Sequence, residues 1–196
     1  AEGIDPEVAA AVARAAKVFA RLGARVTEVD PQIPDTRPML DIHWMGNVSV
    51  LLRKFSPEQR KLMDPGLLRA GEIGAAQSQS DFIAAMNDRQ ALGATLNLFL
   101  AKYDRLLTPT MPMPAFDVGR NTAKGGDDVS LGWTPFTLTF NLSRHPAASV
   151  PCGLTRAGLP IGLQIVGAHY RDALVLRAAK AFEDEVGTFA PPMAAG

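Results

Sequence analysis

Residues 140–153 read Phe140-Asn141-Leu142-Ser143-Arg144-His145-Pro146-Ala147-Ala148-Ser149-Val150-Pro151-Cys152-Gly153, and residues 158–167 read Gly158-Leu159-Pro160-Ile161-Gly162-Leu163-Gln164-Ile165-Val166-Gly167. Two apolar runs, Ala147 to Thr155 and Ile161 to Gly167, flank Arg156-Ala157-Gly158, which is the pattern of a β-hairpin with glycine at its turn. The runs are nearly continuous rather than alternating, so both faces of these strands are expected to be covered. Upstream, Thr134-Pro135 starts a helix that should reach about Leu142. Downstream, Asp172 is the expected cap of a last helix, with Val175, Ala179, Phe182 and Val186 turned inward and Gly187 at its end. A strand pair set between helices places the chain in the α/β class.

The rest of the chain extends this pattern towards the N-terminus. Asp5-Pro6-Glu7 supplies an N-cap, a first-turn proline and a first-turn acid. Val8, Val12, Ala15, Phe19 and Leu22 then fall on one helical face, and Gly23 suits the C-terminal cap. Ala24 to Val29 is a short strand candidate. Pro31, Pro34 and Pro38 bracket a loop, after which residues 39–54 look helical. Ser56-Pro57-Glu58-Gln59 is a capping-box start for a short helix, and Asp64-Pro65-Gly66 is expected to break it. A long helix should run from Asp81 to Tyr103, capped by Ser80, with Ile83, Met86, Leu96, Phe99 and Leu100 towards a core. Arg105 to Thr108 forms a strand. Pro109, Pro112 and Pro114 then hold the chain extended, and the glycine-rich residues 117–132 read as a mobile surface loop. Ala195-Gly196 is expected to fray.

Composition narrows the function classes. The chain has 196 residues, 47% of them apolar, enough for one ordinary globular domain. Twenty Lys plus Arg balance twenty Asp plus Glu, so no charge excess favours nucleic acid or an anionic membrane surface. No apolar run approaches the roughly 20 residues that span a bilayer, and no basic-then-apolar leader is visible. A single cysteine cannot form an internal disulfide, which fits a reducing cytoplasm.

The stretches 140–153 and 158–167, with Tyr103-Asp104-Arg105-Leu106-Leu107-Thr108-Pro109-Thr110 upstream, resemble the C-terminal signature of the amidase signature family, serine hydrolases that cleave carboxamides. The resemblance covers nearly the whole chain and implies a mixed β-sheet flanked by helices. It also implies hydrolysis of an amide to an acid and ammonia or an amine, with no cofactor. The family's nucleophile and bases, a Lys and two serines in a Gly/Ser-rich run, have no counterpart here. The seven serines are Ser49, Ser56, Ser78, Ser80, Ser130, Ser143 and Ser149, and none lies in a Gly-Ser-Ser-Gly-like run. A serine needs an adjacent base to attack at neutral pH. Residues 1–196 are therefore read as the C-terminal portion of an amidase domain, inactive alone, with no catalytic residue of its own. The expected partners are a small amide substrate, the missing catalytic half and other copies of the chain.

Among candidate site residues, Thr134 stands where the family's glutamine-dependent amidotransferase branch has an Asp, which holds the substrate ammonium by a charge-assisted contact. A threonine cannot supply that contact, so the chain resembles a general amidase. Trp133 and Phe136 either accept an apolar or aromatic acyl group beside Thr134 or pack the following helix onto the core. Arg144 replaces the family's usual Gly, with backbone strain of about 1 kcal/mol or more if that position has φ > 0. His43, His145 and His169 are too scattered for a zinc motif, and there is no second cysteine. His43 is expected to be packed or hydrogen-bonded. Cys152 and His145 lie seven residues apart on an extended segment and should face opposite ways, leaving Cys152 a small buried residue. Asp127-Asp128 beside Lys124 reads as a solvated loop. The rival function is a stand-alone, non-catalytic binding or interaction domain derived from the same fold; a structural partner completing a split amidase is a third.

Overall fold

The computed structural model describes residues 3–120, 122–123 and 133–187. The element order is α1 (Pro6–Arg21), α2 (Arg37–Leu52), α3 (Pro57–Arg60), α4 (Pro65–Ala75), α5 (Gln79–Leu100), β1 (Leu106–Pro109), α6 (Pro135–Ser143), β2 (Ala147–Leu154), β3 (Pro160–Val166) and α7 (Asp172–Val186). The three strands form one sheet in the order β1-β3-β2, antiparallel throughout. The expected hairpin is β2–β3, and a register shift between Pro151 and Gly153 bulges Cys152 out of the ladder.

Strand β3 is the centre of the molecule. Ile161, Leu163, Ile165 and Val166 are all but inaccessible, as continuous apolar character requires of a strand covered on both faces. Leu163 and Ile165 pack with Val150 of β2, Ala15 and Val18 of α1, and Val175, Ala179 and Phe182 of α7. Val166 joins Leu106 on the opposite side against α2, α5 and α6, through Leu40, Leu92, Leu96, Leu100 and Phe140. The result is a helix–sheet–helix sandwich, α/β as expected. The described part of the 117–132 segment, residues 117–120 and 122–123, contains neither helix nor strand. The Gly125-Gly126 and Asp127-Asp128 readings, and the fraying of Ala195-Gly196, lie outside the described residues.

Several local expectations need correction. Residues 24–29 carry no ladder, and Val26 is 44% exposed. Their alternation gives no buried face, and β1 pairs only with β3 among the described residues. Asp64-Pro65 starts a helix rather than ending one: Asp64 Oδ1 accepts from Leu67 N–H at 3.1 Å, and proline sits where a helix needs no donor. Ser78, not Ser80, caps α5, accepting from Asp81 N–H at 3.1 Å. Asp172 is the first residue of α7, where its charge faces the helix dipole, and it does not cap; Arg171 occupies the cap position. Leu22 is 43% exposed, and Ala11 and Val18 are buried on α1 instead. On α5, Ile83 and Met86 face outward and small Ala85 faces in. Ala85 allows α2 to approach closely enough for His43 Nε2 to meet Ala85 O at 3.3 Å.

The α2–α4 contact depends on glycine more than any other. A methyl group at Gly74 would lie 1.9 Å from the Met45 carbonyl oxygen, a backbone atom that cannot swing away. Gly74→Ala is therefore expected to destabilise the chain by about 2 kcal/mol or more, the cost of overpacking a rigid contact, read as a lower urea midpoint.

Candidate functional site

The loop after β1 is shaped by its prolines. Pro109, Pro112 and Pro114 keep it extended, and two backbone bonds pin it: Thr110 N–H to Gly162 O at 2.9 Å and Asp5 N–H to Pro112 O at 2.8 Å. The loop carries Met111, Met113 and Phe116 over the start of β3. Trp133, just before α6, closes against Phe116 edge-to-face, with ring centroids 5.3 Å apart. Between these groups and Ile161 lies a cavity of about 430 Å³. Its lining includes an exposed hydroxyl pair, Thr110 Oγ1 and Ser149 Oγ, 2.6 Å apart. Gly162 makes room for the pair, since a methyl there would meet Thr110 Oγ1 at 2.7 Å. Among the described residues no charged side chain lines the cavity, and the Trp133 indole nitrogen is buried without a hydrogen-bond partner.

Of the three site residues read from sequence, only Trp133 is on this wall. Thr134 is the N-cap position of α6, and its side chain makes no capping bond. Phe136 lies in the first turn of α6, half-buried, and its carbonyl accepts from Gln164 Nε2 at 3.2 Å. The sequence reading passed over Met111, Met113 and Phe116. The Thr-Pro-Thr run was the available signal, because a proline-stiffened loop after a core strand presents its side chains at a fixed height.

At the other end of α6 the polar candidates form a buried cluster. His145, 5% exposed, stacks on His169 with ring centroids 4.1 Å apart. With the Asn97 amide as placed, one tautomer set satisfies all four bonds within the cluster. Asn97 Nδ2 donates to His169 Nδ1 at 3.0 Å, and His169 Nε2–H donates to Ser143 O at 2.8 Å. His145 Nε2–H donates to Asn97 Oδ1 at 3.2 Å, and Ser143 Oγ–H donates to His145 Nδ1 at 2.9 Å. The cluster joins α5, the end of α6 and the loop after β3. Burial, then the neighbouring His169 ring, pull the His145 pKa down to about 4, against a smaller opposing effect of the Ser143 backbone. Cys152 takes no part: it is half-buried beside Val8 and Ile161, and burial pushes its thiol up to about 11. A buried thiol held in its protonated form is a packing group, not a nucleophile. Among the described residues no His/Cys/Asp/Glu group could hold a metal ion, and no helix is long and apolar enough to cross a membrane.

Two predictions concern this end of α6. Arg144 has φ 60° and ψ 27°, the left-handed conformation that the sequence put in question, and its charge lies near that of Arg89, whose Nε donates to Leu142 O at 2.7 Å. Arg144→Gly should stabilise the chain by about 1 kcal/mol through relief of the left-handed conformation, measured as a higher urea midpoint. For His145, the unfolded chain binds its proton near pH 6.5 and the folded chain only near 4. The contribution to stability is complete above 6.5 and is lost as pH falls towards 4. Melting temperature should drop over that window, and the drop should shrink in His145→Gln; an unchanged drop would assign it to another group.

The sequence model of the Amidase family matches residues 1–176. The chain is 34% identical to a component of the glutamyl-tRNA(Gln) amidotransferase of Myxococcus xanthus, over 94% of this chain and 43% of that protein. It is 32% identical to an acylamidase from Rhodococcus erythropolis, over 92% of this chain and 39% of that protein. Among solved structures, a bacterial aryl acylamidase of the amidase signature family superposes with a TM-score of 0.79 at 30% identity, covering 94% of this chain and 41% of the other. The chain thus spans less than half the length of the curated relatives it matches.

Proposed function

The chain belongs to the amidase family, and we propose that it works as the C-terminal part of an amide hydrolase, completed by a catalytic part that supplies the Ser-Ser-Lys machinery. The observation that carries this reading is the family match over residues 1–176 in a chain aligned with 43% or less of the two relatives named above. The 196 residues contain no Gly/Ser-rich run with a Lys partner. In the completed enzyme, a serine Oγ would attack the amide carbonyl carbon while its proton passes through the second serine to the lysine. Backbone N–H groups of the glycine-rich run would hold the oxyanion. The amine would leave with the returned proton, and water would then release the acid.

In this reading the present chain gives the core sheet and one wall of the substrate cleft, with Trp133, Thr134 and Phe136 at the head of α6. Thr134 in place of an ammonium-holding Asp favours a general amidase over a glutamine-using amidotransferase. The catalytic part would dock along the outer edge of β1 and the extended residues 24–29. These line an open groove of about 1210 Å³, and Val26, Tyr103 and Leu107 give it apolar surface. Without that part, the exposed edge should favour self-association, and the lone cysteine is consistent with a cytoplasmic setting.

The test is a fusion in which this chain replaces the C-terminal part of the Rhodococcus acylamidase, assayed beside the chain alone on acetanilide and benzamide. The expected result is hydrolysis by the fusion and none by the isolated chain, because nucleophile and base together supply many powers of ten in rate. Turnover by the isolated chain that disappears in Ser149→Ala or Cys152→Ala would overturn the reading. A folded but inactive fusion, with an isolated chain that stays monomeric across a dilution series, would favour the stand-alone binding domain.

A further inference from the structure

We propose that Gln164, acting through Thr108, is a positioning residue for the substrate wall: one buried amide nitrogen aligns the loop after β1 with the first turn of α6. The substrate part of the inference rests on the amidase reading, and the alignment stands on the hydrogen bonds themselves.

Three observations carry it. First, Gln164 stands between Leu163 and Ile165, both inaccessible, and is itself buried. Burying an amide costs free energy unless its donors are bonded, and a methionine would fill a similar volume without that cost. Second, its bonds form a relay that ends on two backbone carbonyls. Gln164 Nε2 donates to Phe136 O at 3.2 Å and to Thr108 Oγ1 at 2.9 Å, and Thr108 Oγ1–H donates onward to Pro109 O at 3.0 Å. A carbonyl can only accept, so the Phe136 bond fixes which end of the amide is the nitrogen. Phe136 belongs to the first turn of α6, where Thr134 makes no capping bond, and Pro109 is the last residue of β1. Third, the Thr108-Pro109-Thr110 run is built for this contact. Side chains alternate along an extended chain, so both threonines face the side of the sheet that carries Gln164 and Gly162, the residues opposite them on β3. Thr110 Oγ1 pairs with Ser149 Oγ at 2.6 Å, and Thr108 is left to meet Gln164. Neither Gln164 nor Thr108 lines the cavity, whereas Thr110, Met111 and Met113 do, so the pair acts on the wall through the loop it holds.

Two variants test this. Gln164→Met removes the donors and keeps a side chain of similar size. Thr108→Val breaks the relay from the loop side with little change of shape, and it serves alone where Gln164→Met does not fold. In the isolated chain, the amides of Thr110 and Thr137 report the ¹³C signals of the carbonyls before them, Pro109 and Phe136. Gln164→Met should move the Phe136 carbonyl upfield, and Thr108→Val the Pro109 carbonyl, as loss of a hydrogen bond does. Both should shift the Met111 and Met113 amides and leave Val175 and Phe182 of α7 in place. In the acylamidase fusion, Gln164→Met should raise KM for acetanilide about fivefold, as expected for one neutral hydrogen bond, with kcat within about twofold of the parent. Thr108→Val should raise KM in the same sense. The double variant should be no worse than Gln164→Met, since both changes act on one path. A merely structural glutamine would instead lower kcat with the folded fraction and leave KM alone. That result, or additive effects on KM, would overturn the proposal, and so would unmoved Met111 and Met113 amides. An inactive parent fusion with the shifts present would remove the amidase reading and leave the alignment standing; an active fusion without the shifts would do the reverse.

Discussion

Strand β3 is buried against helices on both faces, and its one polar inward side chain, Gln164 at 4% exposure, makes two hydrogen bonds through its amide nitrogen. Gln164 Nε2 donates to Thr108 Oγ1 at 2.9 Å and to the Phe136 carbonyl at 3.2 Å, tying β1 and the first turn of α6 to the central strand. A buried amide is stable only if its donors are satisfied. The same two bonds therefore fix the height of the β1 loop and the position of α6, and the cavity lies between those two elements. Apolar contact supplies the cohesion of the sandwich, and this amide sets its alignment near the site.

The two ends of α6 do different work. At its N-terminal end the helix has no side-chain cap, and Trp133 is held by the ring of Phe116. That arrangement leaves the Trp133 indole N–H buried without an acceptor among the described residues, which costs local stability. At its C-terminal end almost everything is satisfied. The left-handed Arg144 closes the helix, and His145, His169, Asn97 and Ser143 are joined by four hydrogen bonds. A strained turn can persist when its surroundings over-determine it, and the stacked histidine cluster does that here. The helix is thus anchored rigidly behind the cavity while its front stays open.

The sequence by itself determined the features that depend on neighbours in the chain. The hairpin, the proline-stiffened loop, the start of α6 and the cap at Asp5 follow from turn chemistry and periodicity, and all are present. So does the suspicion about Arg144, since only backbone conformation was at issue. Tertiary structure alone decided what depends on distant partners. Asn97, His145 and His169 are spread over more than 70 residues, and no spacing rule joins them. Phe116 meets Trp133 across a loop, and the faces of α5 are assigned by how closely α2 can approach Ala85, not by hydropathy. Residues 24–29 show the same limit from the other side: they carry strand-forming residues, but a strand also needs a partner edge, and a local sequence contains no information about whether one is there.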